Sequence, residues 1–153
     1  MSLNPQAKLA DLLVFSRLSV HSQKRVFESA AEAFGDAAGL SKEAVYRGLL
    51  DREKLGSTAL GNGVAIPHCR IDTCSAPLGC LMTLTDAVDF SAPDGQSVDI
   101  VLLLLVPSEA TQEHLDLLAG VVTLLSDEPT RTAIREAIEP EDLSRIVAMS
   151  GLL

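Results

Sequence analysis

Between residues 22 and 39 the apolar side chains Val26, Phe27, Ala30, Ala33 and Phe34 recur at helical spacing, and Gly39 stands where such a helix should stop. Ser41 then reads as the N-cap of a second helix, with Glu43 favourable in its first turn, reaching about Glu53. Ahead of both, Leu9, Leu12, Leu13 and Val14 form a short amphipathic segment, and helices are expected to come first along the chain. The glycine-bearing block 56–63 interrupts this periodicity.

Beyond it the pattern changes. Leu78 to Leu84 reads as a strand and Ala87 to Phe90 as a shorter one, and Asp94-Gly95 is a turn signal. Val98 to Val106 is apolar except for Asp99, the pattern of a strand buried on both faces, so helices should cover the sheet on each side. Pro107 and Ser108 end it and lead into a helix over about 110–125. Asp127-Glu128-Pro129 and Glu139-Pro140 each set an acid before a proline, which opens helices near 129–138 and 140–149. No internal repeat, low-complexity tract or linker divides the chain. The expectation is a single α/β domain over residues 1–153, with a mixed central sheet of about five strands and helices on both faces.

Composition narrows the function classes. The chain has 153 residues, 47% of them hydrophobic, enough for a substantial core. Its longest strongly apolar run, Ile100 to Val106, is far too short to span a membrane, and no basic segment followed by a hydrophobic stretch opens the sequence. A soluble, cytoplasmic protein is expected. Twelve Lys and Arg are scattered among 21 acidic residues for a net charge of −9, which repels nucleic acid and favours a partner with a basic face. Three cysteines at C-x4-C and C-x5-C spacing (Cys69, Cys74 and Cys80) describe neither a disulfide framework nor a structural zinc site, and no metal or cofactor is expected. Gly61 and Gly63 lack the third glycine and the context of a dinucleotide loop, and no nucleoside-triphosphate loop or Gly-x-Ser-x-Gly elbow occurs.

The most informative stretch is Gly61-Asn62-Gly63-Val64-Ala65-Ile66-Pro67-His68. Gly-Asn-Gly reads as a tight turn, and Pro67 fixes its own φ while pushing Ile66 towards extended geometry. The product is a rigid strut ending in an imidazole. By pattern alone His68 is a histidine in a glycine-rich loop, His114 a polar residue at the edge of an apolar helix stripe with Leu118, Val121 and Leu125, and Arg52 a cation facing the dipole of its own helix.

This octet resembles the active-site segment of the enzyme IIA components of the bacterial phosphotransferase system, in the mannitol/fructose/nitrogen class. The resemblance extends over about residues 41–147 and rests also on Arg52-Glu53-Lys54-Leu55-Gly56-Ser57-Thr58, on Val98-Asp99 before the apolar strand, and on His114-Leu115. It implies that His68 is the phosphoacceptor, taking a phosphoryl group from a histidine-phosphocarrier protein (HPr-like) and passing it to a downstream IIB component or displaying it to regulatory target proteins. It places His114 beside the transferred phosphate and Arg52 where a guanidinium steadies phosphate oxygens. Thr58 matches a hydroxyl position able to orient an imidazole, and by pattern it is equally a turn residue. After Pro-His the family carries Gly-Lys where this chain has Cys69-Arg70. Arg70 keeps the charge. Cys69 would strain any backbone that needs positive φ and adds bulk where a partner approaches, so transfer is expected with altered rate or partner preference. Lack of a fused carrier or membrane segment in these 153 residues favours the nitrogen-regulatory type over a fructose/mannitol sugar-transport IIA. The other classes are a regulatory binding module independent of phosphorylation and a cysteine-based metal or redox protein.

Overall fold

The computed structural model describes residues 8–109 and 111–153. In chain order the elements are β1 (Asp11–Leu18), α1 (Gln23–Ala38), α2 (Lys42–Lys54), β2 (Ala59–Gly61), β3 (Val64–Ala65), β4 (His68–Ile71), β5 (Leu78–Val88), β6 (Val98–Pro107), α3 (Gln112–Ser126), α4 (Glu128–Glu136) and α5 (Pro140–Met149). The sheet is mixed and six-stranded, in the order β1-β5-β6-β3-β2, with β4 also pairing with β6. β1 runs parallel to β5, β5 antiparallel to β6, and β3 and β4 parallel to β6.

Strand β6 explains the architecture. Val101, Leu103 and Leu105 pack with Val26, Phe27 and Leu49 of the two N-terminal helices. Ile100, Leu102 and Leu104 pack with Leu117, Val121 and Ile134 of the C-terminal helices. Successive side chains point to opposite faces, so a continuous apolar run marks a strand with helices on both sides. The expected α/β fold, with its mixed sheet between helical layers, is the one observed.

The helix ends follow local chemistry. Ser22 and Ser41 accept from Arg25 N and Ala44 N as N-caps, and Gly39 closes α1 at φ 70°. Asp127 caps α4, whose second residue is Pro129, and Pro140 opens α5. Three expectations are corrected. A strand, not a helix, comes first: in β1, Leu12 belongs to the core under α3 to α5, while Leu13 and Phe15 pack on the α1/α2 side. The strands anticipated at 78–84 and 87–90 are one, β5, with a register shift between Thr83 and Val88. The 56–63 block contains β2 and the start of a hairpin, in which Asn62 (φ 58°) and Gly63 (φ 77°) make the two-residue turn favoured by the strand twist.

Candidate functional site

The segment 64–71 runs beside β6 and is interrupted in the middle: β3 has β2 on its outer side, and β4 pairs with β6 alone. Val64 and Ala65 pair with Ile100 and Val101, and His68 to Ile71 pair with Leu104 to Pro107. Pro67 has no N–H for the ladder and holds Ile66 extended, so strand pairing lapses there. It resumes through the Pro67 carbonyl, which accepts from Leu104 N at 2.9 Å. His68 is the first residue beyond the break. Its Nδ1 lies 2.8 Å from the Ile66 carbonyl oxygen. A carbonyl only accepts, so in the neutral ring Nδ1 carries the proton and Nε2 keeps its lone pair.

Alternation along β4 sorts the neighbours. Ile71 belongs to the core beneath α1 and α2, and Cys69 packs on that same cluster. His68 and Arg70 therefore face the α3 side, in register with Leu104 and Val106. There a cleft of about 550 Å³ opens at the sheet edge, lined by His68, Arg70, Arg52 and His114 among others. The structure thus brings together His68, Arg70, Arg52 and His114 from three separate elements, with Cys69 also in the cleft wall. Arg52 stands in the last turn of α2, with Nη1 donating to the Gly56 carbonyl at 3.0 Å. His114 is the third residue of α3, behind the N-cap Thr111, where the helix terminus adds positive potential. Among the described lining residues Asp51 is the single carboxylate, so the cleft is locally basic on an acidic chain.

Two expectations take a different form. Thr58 does not line the cleft: its hydroxyl donates to Glu53 Oε1 at 2.7 Å, and its N–H to Oε2 at 3.1 Å. It braces the turn after α2 and orients neither imidazole. Cys69 sits in regular extended backbone and needs no positive φ. Its Sγ is 3.0 Å from where a Cβ on Gly48 would stand, so the thiol occupies a vacancy left by a glycine in α2. Burial, with a smaller contribution from Cys74, pushes the Cys69 thiol up to about 12, and it remains an uncharged packing group.

Sequence reasoning missed the residues that hold the cleft's walls. Glu53 clamps the turn that carries Arg52; it lay within the recognised 52–58 block, and its partner five positions on was the available signal. Ser108 Oγ donates to the Asp72 carboxylate, tying the exit of β4 to the connection entering α3. Nothing in the sequence pairs two residues 36 positions apart.

Comparison with known proteins shows the family. The family described as "Phosphoenolpyruvate-dependent sugar phosphotransferase system, EIIA 2" matches residues 8–149. The chain is 42% identical over 127 residues to the nitrogen regulatory protein of Pseudomonas aeruginosa, covering 82% of each. It is 28% identical over 107 residues to a fructose-specific EIIA component of the phosphotransferase system from Haloferax volcanii, covering 70% of each. Among solved structures, nitrogen regulatory protein IIA-Ntr from Neisseria meningitidis superposes with a TM-score of 0.81 at 36% identity, over 90% of this chain and 92% of that one. With strand pairing along β6 broken at Pro67 and two of its three histidines lining one cleft, the chain belongs to the EIIA type-2 family of the phosphoenolpyruvate-dependent sugar phosphotransferase system.

Proposed function

We propose that the protein is a cytoplasmic phosphocarrier of the nitrogen-regulatory type, which accepts a phosphoryl group on Nε2 of His68 from the phosphohistidine of a histidine-phosphocarrier protein. The observation that carries this reading is the 2.8 Å contact between His68 Nδ1 and the Ile66 carbonyl in a cleft shared with Arg52, Arg70 and His114. That contact selects the tautomer whose Nε2 lone pair is available for attack. As the new Nε2–P bond forms, the donor's N–P bond breaks and its electron pair returns to the donor imidazole. The His68 ring gains positive charge, and its Nδ1–H is already aimed at an acceptor that stabilises this charge. Arg52, Arg70 and His114 offer donors to the equatorial phosphoryl oxygens; a loose transition state asks for such positioning and charge stabilisation and for no further nucleophile. The phosphoryl group then passes to a IIB component or marks the protein for regulatory targets.

The nitrogen-regulatory reading is supported by 42% identity to a nitrogen regulatory protein against 28% to a fructose-specific component. Cys69, the one sequence argument for a phosphorylation-independent binding module, sits in regular extended backbone and packs against Gly48 in the wall of the same cleft. The test is incubation with labelled phosphoenolpyruvate and purified general phosphotransferase components. The wild-type chain should take up acid-labile label, and His68→Ala should fall to background. Undiminished label in His68→Ala would overturn the assignment.

A further inference from the structure

The sheet loosens at one place away from the His68 cleft. Phe15 pairs with Met82 and Leu18 with Leu84, so β1 holds one residue more than β5 over that step and bulges at Ser16-Arg17. β5 in turn loses register with β6 between Thr83 and Val88. A cavity of about 270 Å³ opens there, lined by Arg17, Thr83, Asp99 and Arg135 among others. It shares no lining residue with the His68 cleft.

Arg17 stands at φ 56° inside a strand. A bulge with a left-handed residue ordinarily places glycine there, and a long side chain at that φ is an outlier that lowers stability. Strain of this sort persists where the side chain has a use. The Arg17 N–H donates to Thr83 Oγ1 at 2.8 Å, while its guanidinium has no acceptor among the described residues. Thr83 is buried, and its hydroxyl accepts that bond but has no acceptor for its own proton among them. Asp99 does not answer these donors, because its carboxylate is tied to Arg135. A second cavity, of about 520 Å³, shares Asp99 and Arg135 and adds Arg131 and Glu128. Three arginines (Arg17, Arg131 and Arg135) thus meet two carboxylates (Asp99 and Glu128), a locally basic place on a chain of net charge −9.

We infer that the cavity at the β1 bulge binds a small oxoanion, a phosphate or carboxylate group held by the Arg17 guanidinium and the Thr83 hydroxyl. Both side chains supply donors and an oxoanion supplies only acceptors, so the ligand completes what the fold leaves open. The cavity is at the small end for ligand pockets, which suits an inorganic anion or a metabolite of a few atoms and excludes a nucleotide. The site is independent of the phosphocarrier reading, and failure of His68 to take up a phosphoryl group would leave it standing.

Nitrogen-15 NMR titration of the intact chain with sodium phosphate, and separately with sodium succinate, tests it at an ionic strength fixed with sodium chloride. The amides of Arg17, Thr83 and Thr85 should shift and saturate with at least one anion. Saturation by phosphate alone identifies a phosphoryl group as what the site takes, and by succinate alone a carboxylate. Phosphate entering the other cleft registers separately, at His68 to Arg70. Arg17→Gly divides a binding role from a structural one. Relief of the left-handed strain should leave the denaturation midpoint unchanged or higher, while affinity read at Thr83 and Thr85 falls by roughly tenfold. Shifts that stay linear in anion concentration, or an Arg17→Gly chain that binds as tightly as the wild type, overturn the site. A lower midpoint in that variant overturns it too, by making Arg17 part of the scaffold.

Discussion

At the Asp99 end of β6 the Asp99 carboxylate takes three hydrogen bonds from Arg135, two from Nε at 3.2 and 3.0 Å and one from Nη2 at 2.9 Å, and Nη2 also donates to the Asn62 carbonyl at 2.6 Å. At the Leu104 end, five residues on along the same strand, His68, Arg70 and His114 surround an open cleft, and a buried imidazole nitrogen has no partner among the described residues. The first cluster is saturated: each polar group answers another, and together they pin the Asn62-Gly63 turn to α4. The second is left incomplete, with donors facing space. Completed polar networks rigidify a fold, whereas unsatisfied ones persist where a ligand supplies the missing atoms. The hairpin turn and the histidine lie only a few residues apart along one segment, yet the two ends are held by different means: the turn by the Arg135 clasp and the histidine by its pairing with β6.

The comparison is sharpened first at the cleft. Arg52→Ala should lower the rate of phosphoryl uptake by ~100-fold, about 2.7 kcal/mol of transition-state stabilisation. Its side chain makes one bond, to Gly56, so the unfolding free energy should move by less than about 0.5 kcal/mol. Single-turnover labelling and denaturant unfolding on one sample check both numbers. Equal losses in rate and stability would mean that the cleft is part of the scaffold after all.

The saturated end should respond the other way, and somewhat less. A Cβ at Gly63 would stand 2.6 Å from Arg135 Nη2 and 2.9 Å from Asp99 Oδ1, on a backbone at φ 77°. Gly63→Ala therefore combines left-handed strain with displacement of the clasp, for a loss of about 2–3 kcal/mol in unfolding free energy. Uptake per folded molecule should be unchanged. A fall in that rate would show that the turn sets the position of His68 actively.

These contrasts mark what could be read in advance. The helices were legible because their ends carry local chemistry, at Ser22, Gly39, Ser41 and the two acid–proline openings. β6 was legible because burial on both faces leaves an unbroken apolar run. β1 was not, since Leu12 to Phe15 are apolar without a visible period and its partner Leu78–Leu84 lies far along the chain. The four residues at the cleft were each visible as residue types, and the resemblance gathered them, but no pattern could say that Thr58 faces Glu53 or that Cys69 faces Gly48. Such pairings depend on how α2 lies over β4, a tertiary fact with no local signature.

Cys69 supplies the smallest effect and the finest test of the division between wall and reactive face. It neighbours His68 in sequence, yet alternation along β4 turns it towards Gly48 of α2, where it forms part of the cleft wall. Cys69→Gly removes a packed side chain and places glycine in a strand, so a destabilisation of about 1 kcal/mol is expected. Phosphoryl uptake should be the same as in the wild-type chain with every donor tried. The thiol itself reports the same packing. Its pKa is pushed up to about 12, chiefly by burial, so at pH 8 the nucleophilic thiolate is nearly absent and alkylation of the folded chain should be slow. The unfolded chain, whose thiol ionises in the ordinary range, should react rapidly at that pH. Because folding raises this pKa, the stabilisation from a neutral Cys69 is complete below the unfolded value and is lost as pH climbs towards 12. Fast alkylation of native Cys69 would show that the thiol is not held in the cleft wall against Gly48, and a rate change in Cys69→Gly would make it part of the reactive face.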